Sequence, residues 1–157
     1  MVHTMVFNAL LFSSCGYALW RGAAPERAAA AIMLAATVAT VVAFRAGPTR
    51  FSSVEAGVLA VDVATLLAFV ALALRAQRYW PMWIAALQVD AVVTHLAILV
   101  APRAMPWAYA VLIAGWSYPS VLLLAAGTLR HRQRLSRYGD DPAWSSSRST
   151  PGSPPAF

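Results

Sequence analysis

Five apolar runs divide this chain, at approximately residues 4–20, 27–44, 52–74, 79–100 and 105–129, and its arginines fall at their edges, between them or beyond the last. Runs two to five approach the roughly 20 residues that a helix needs to cross a hydrocarbon core, and the first is shorter. In that environment only helices and closed barrels satisfy their own backbone. Ten-residue stretches that alternate polar and apolar residues are absent, which removes the barrel. The expected fold is all-α, an integral membrane helical bundle of five transmembrane helices, or four if the first is not a full span.

Residues 1–137 would form this bundle. The remainder, 138–157, reads YGDDPAWSSSRSTPGSPPAF; it is rich in Ser, Pro and Gly without an apolar period, and is expected to be a disordered cytoplasmic tail.

The composition agrees: 60% of the residues are hydrophobic, 11% are charged, and the mean hydropathy of +0.62 lies outside the usual soluble range. All twelve basic residues counted as Lys or Arg are Arg, and the net charge is +6. That charge could suggest nucleic acid, but most of it lies just beyond span ends, where topology places it. Nucleic acid is therefore not an expected partner; the lipid bilayer is.

Arg21, Arg27, Arg75, Arg78, Arg130, Arg132, Arg134, Arg137 and Arg148 fall on one side, leaving Arg45, Arg50 and Arg103 on the other. The positive-inside rule then sets the N-terminus outside, in the periplasm of a bacterial inner membrane, and the C-terminus in the cytoplasm. Trp20, Tyr79, Trp80, Trp83, Trp107 and Tyr109 sit near span ends as interface anchors. The first twenty residues contain no Lys or Arg, so the first run reads as a retained span and not as a cleavable signal. Cys15 is the only cysteine, so no intrachain disulfide and no thiolate metal cluster can form.

Span two repeats alanine at Ala31, Ala35, Ala39 and Ala43, and span three at Ala56, Ala60, Ala64 and Ala68. Small residues every fourth position let helix backbones approach, so the two stripes should face each other. Glu55 and Asp62, seven residues apart, share a face of span three nearly opposite its alanine stripe, which makes span three the expected central helix.

Acids inside a span are costly and normally face protein or water. A hairpin of spans three and four would set Asp62 level with Asp90 at the midplane, and Glu55 level with His95 nearer the outer surface. Two carboxylates at that depth could not both stay ionised, so at least one would carry a proton. On span four, Gln88 and His95 share one face and Asp90 and Thr94 another; spacing does not choose which meets span three. Span five adds Ser117, Tyr118 and Ser120 around Pro119, where the helix is expected to kink and leave the Gly115 carbonyl without its donor.

No paired Glu-x-x-His elements, H-E-x-x-H, P-loop, G-x-S-x-G or dinucleotide fingerprint occurs, and His95 lacks a depth-matched second histidine for haem. No catalytic, cofactor-binding or metal residue is assigned, and a role other than an enzyme is expected. The five short spans, RYWPMW opening span four and the basic cytoplasmic end resemble small multi-span inner-membrane proteins of bacteria, a resemblance that implies no particular activity.

Three functions remain open. An accessory or assembly subunit of a larger membrane complex, or a homo-oligomer, needs the fewest assumptions. A small proton-coupled transporter or channel would use Asp62 and Asp90. An intramembrane enzyme would use Glu55 and His95 as acid and base.

Overall fold

Each apolar run forms one helix in the computed structural model, which describes residues 2–43, 56–100 and 106–144. The helices are α1 (Val2–Arg21), α2 (Ala24–Ala43), α3 (Ala56–Arg75), α4 (Trp80–Val100) and α5 (Pro106–Tyr138). No strand occurs among the described residues, only an isolated antiparallel bridge between Ala76 and Trp144. The first run, though short in apolar residues, lies in a helix of 20 residues. Glu55 and the arginines Arg45, Arg50 and Arg103 lie outside the described residues.

Local chemistry explains the boundaries. Gly22 donates its N–H to the Ala18 carbonyl at 2.9 Å, and a Cβ on it would strike that oxygen and Glu26 Cβ, so the two-residue turn between α1 and α2 requires glycine. Glu26 then reaches back to accept from Ala23 N–H at 3.1 Å, supplying one of the donors that a helix start leaves unpaired. α5 outruns its apolar segment and ends at Gly139, whose φ of 73° is the left-handed conformation that closes a helix, with its N–H on the Leu135 carbonyl at 3.0 Å.

Helices adjacent in sequence pack on each other, and α5 closes the ring against α1 while also touching α2. α3 contacts α2 on one side and α4 on the other, but it is not the central helix expected from its two polar and alanine faces. A third arc of it, with Ala60, Val63, Leu67, Val70 and Leu74, stays exposed. A 20-residue helix has room for two flanking contacts and an outer stripe, and two patterned faces do not imply enclosure.

The alanine stripes do adjoin: Ala35, Ala39, Ala64 and Ala68 line one trough between α2 and α3, and a Cβ on Gly57 would come within 3.2 Å of Ala43 Cβ. The buried core joins Leu11, Cys15, Ala18, Ala29, Ala30, Met33, Phe69, Leu72, Ile84, Ala85, Val121 and Leu124. These residues gather toward the end of the bundle at which α1 turns into α2 and α3 into α4.

Two helical segments, Ala24–Ala43 and Gly57–Arg75, are long and apolar enough to cross a membrane. Among the described residues, more large hydrophobic side chains are exposed than buried, including Phe12, Val38, Leu67, Val93 and Leu122 on five different helices.

Candidate functional site: an acid and imidazole beside a cavity among five helices

The hairpin of α3 and α4 brings Asp62 to His95 and Gln88. His95 Nε2 lies 2.8 Å from Asp62 Oδ2, at ion-pair distance though off the line of an aligned hydrogen bond. Gln88 Nε2 donates to the other carboxylate oxygen, Oδ1, at 3.2 Å, and lies 3.4 Å from the Asp62 carbonyl. Gln88 and His95 are two turns apart on one face, so α4 clasps Asp62 from above and below. His95 is buried, while the Asp62 side chain keeps 21% exposure.

This geometry corrects the expected carboxylate layer. Asp90 does not meet Asp62. Two positions along a helix turn a side chain almost to the opposite side, so once Gln88 faces α3, Asp90 cannot. Asp90 is half-buried, and Thr94 Oγ1 donates to its backbone carbonyl at 2.8 Å. The choice that spacing left open falls to the Gln88 and His95 face. The second expected layer pairs His95 with Glu55, which lies outside the described residues; His95 instead stands beside Asp62.

Asp62 and Gln88 form part of the wall of a cavity of about 120 Å³, to which all five helices contribute. Its polar lining is completed by Thr37, Thr65, Ser117 and Ser120, and its aromatic lining by Phe7, Phe69 and Trp116. Several of the hydroxyls are satisfied one turn back in their own helices: Thr37 on Met33 at 2.8 Å, Thr65 on Val61 at 2.7 Å and Ser120 on Trp116 at 3.1 Å. A cavity of this size with a carboxylate and an amide in its wall has room and partners for several waters.

Of the residues that sequence reasoning grouped around Pro119, Ser117 lines the cavity and Tyr118 does not. Tyr118 donates its hydroxyl to the His3 carbonyl at 3.0 Å and sets its ring edge-on to Phe7, centroids 5.3 Å apart, tying α5 to α1. Pro119 lies within α5, which continues through it.

A second polar cluster was not anticipated. Arg78, in the turn between α3 and α4, places Nη2 at 2.7 Å from Asp141 Oδ2 and Nε at 3.3 Å from Glu26 Oε1, the latter contact out of hydrogen-bond line. His131 Nδ1 is also 2.7 Å from Asp141 Oδ2 and 3.2 Å from Arg78 Nη2. A nitrogen cannot accept from Arg78 while approaching a carboxylate so closely, so the proton is assigned to Nδ1, donating to Asp141. Burial alone would raise the Asp141 pKa, but hydrogen bonds from His131 and Arg78, with the charge of Arg78, outweigh it and hold the carboxyl below its usual range.

This cluster fixes the first residues of the tail. Gln77 N–H donates to the Ala143 carbonyl at 3.4 Å beside the bridge of Ala76 to Trp144. The segment expected to be disordered from residue 138 therefore has a defined course as far as Trp144; residues 145–157 lie outside the described residues. The signal was faint in sequence, because Arg78 also serves as a topological charge and Glu26 as a helix-start acid. Nothing local links positions 26, 78 and 141.

Among the described residues, no three His, Cys, Asp or Glu side chains gather closely enough to hold a metal ion. No protein-family model matches the chain, and neither a curated protein nor a solved structure is significantly similar to it.

Proposed function

We propose that this protein is a five-span bacterial inner-membrane bundle, N-terminus in the periplasm and C-terminus in the cytoplasm, whose Asp62–His95 pair takes up and releases a proton in a small proton-coupled carrier or channel. The bilayer reading is supported by the two apolar helices, of which only 22% and 17% lie buried within the bundle. In water a helix that apolar would bury most of its surface; in lipid the exposed stripes need no cover.

The observation that carries the functional reading is the 2.8 Å contact of a carboxylate and an imidazole at the wall of a cavity shared by five helices. An intramembrane acid that faces a cavity and touches an imidazole behind it is suited to relay protons between the two. The role sketched from sequence for Asp90 passes to His95.

Protein reconstituted in vesicles should conduct or exchange protons, read with an enclosed pH dye. Asp62→Asn should abolish that flux and Asp90→Asn should leave most of it. Equal flux in wild type and Asp62→Asn would remove the reading.

A second reading, an accessory subunit of a larger membrane complex, is favoured by the trough between α2 and α3, where Ala35, Ala39, Ala64 and Ala68 leave space beside an exposed apolar face. Co-purification of a stoichiometric membrane partner in mild detergent, lost on Ala35→Leu with Ala64→Leu, would support it; a lone species with proton flux would not.

A further inference from the structure

We propose that the cavity binds a small organic monocation, a primary alkylammonium, in exchange for the proton held by Asp62 and His95. This inference rests on the proton-handling reading and names the solute class of the same site.

Charge decides the sign of the ligand. Among the described residues, Asp62 is the only formally charged side chain in the cavity wall, and none of the arginines contributes to it. His95 stands on the carboxylate as its proton partner and is not itself part of that lining. The other groups that face the site from the packed elements are uncharged: Thr37 on α2, Thr65 on α3, Gln88 on α4, and Ser117 and Ser120 on α5.

The rest of the wall decides the kind of cation. A metal ion would require several oxygen ligands, and here a single carboxylate is offered. Phe7, Phe69 and Trp116 line the cavity from three different helices, and aromatic rings attract an ammonium group as well as its alkyl chain. Leu11, Met33 and Ile84 suit an alkyl chain. Gln88 uses its amide N–H on Asp62, which leaves its side-chain oxygen to accept from a second N–H of the ammonium. A space of about 120 Å³ matches a solute of about five non-hydrogen atoms, given that a slightly larger apolar cavity holds benzene.

The exchange balances without a co-reactant. In the proton-loaded state of the cycle the ring carries both of its N–H protons, and the carboxylate 2.8 Å away makes the pair neutral. An arriving ammonium takes over the carboxylate's charge, the imidazole N–H bond breaks, and that proton leaves to water. One positive charge enters, one leaves, and no other bond changes.

Purified full-length protein in detergent micelles would be titrated calorimetrically with isobutylammonium, with isobutanol and isobutyrate as neutral and anionic controls of similar shape, in buffers of differing ionisation heat. Saturable binding of the ammonium alone is expected, with proton release that grows toward one per site on acidification and an affinity that falls as it does, approaching about tenfold per pH unit once the site is proton-loaded, the slope of a one-proton exchange. Isobutanol binding as tightly, or ammonium binding without proton release, overturns the proposal. Asp62→Asn should abolish binding, and Trp116→Leu, which keeps the carboxylate, should weaken it roughly fivefold. Unchanged affinity in Trp116→Leu counts against the site even if Asp62→Asn fails to fold. Asp62-dependent proton flux with no ammonium binding overturns this inference and leaves the proton reading; ammonium binding with proton release but no flux keeps the inference and removes the carrier.

Discussion

One end of the bundle and its middle treat buried charge in opposite ways. At the end where α1 turns into α2 and α3 into α4, Glu26, Arg78, His131 and Asp141 meet in a nearly dry cluster, with Arg78 and Glu26 side chains 6% and 0% exposed. Around Asp62, the acid meets an imidazole and an amide, and the remaining side opens into a cavity. The first arrangement locks a turn, a helix start and a tail segment into one piece. The second leaves a carboxylate able to change partners, which is what binding or proton transfer needs. On the proposed reading, stability and function are divided along the helix axis.

If the locked end is the structural one, substitutions there should be the most damaging. Arg78→Ala leaves Glu26 and Asp141 buried without their cation, and should cost roughly 3–5 kcal/mol, read as a large fall in melting temperature in detergent; a shift no greater than that of Asp62→Asn would break the comparison. Asp141→Asn should cost less, about 1.5–3 kcal/mol at neutral pH.

That loss has a defined pH dependence. Because the folded carboxyl is held below its usual range, its stabilising contribution is complete above the ordinary value near ~3.9 and disappears as the pH falls through the lower folded value. The melting difference between wild type and Asp141→Asn should accordingly be flat from neutral to mildly acidic pH and close only under strong acid.

One substitution made in both regions sharpens the contrast. A Cβ on Gly127 would lie 2.8–3.0 Å from the Trp80 indole, whereas Gly115 has nothing within 4 Å. Gly127→Ala should destabilise by about 1–3 kcal/mol, and Gly115→Ala should be neutral or stabilising by up to ~1 kcal/mol. Equal melting shifts would show that packing does not differ between the two regions.

Much of the architecture could be read from the sequence because it depends on local patterns. Apolar runs bounded by arginine gave the helices within a few residues of their described ends, except that α5 runs on to Tyr138 through its basic segment, and seven-residue spacing set Gln88 and His95 on one face. The hairpin register brought Asp62 to that part of α4. What failed was rotation: spacing says which residues share a face but not which face turns inward, so Asp90 was placed where Gln88 and His95 stand. The enclosure of α3 failed for a related reason, since a patterned helix can still leave an arc outside. The tail cluster was illegible because its members come from three distant segments, and each has an ordinary local role as helix cap, loop charge or basic run.

The most direct test asks where water reaches. In reconstituted Cys15→Ser protein, a single cysteine would be introduced either at Ser117, in the cavity wall, or at Leu67, on the exposed apolar arc of α3, and challenged with a water-soluble maleimide. A membrane bundle with a wet interior predicts labelling of Ser117→Cys and protection of Leu67→Cys by lipid. Labelling at Leu67→Cys with protection at Ser117→Cys would contradict it.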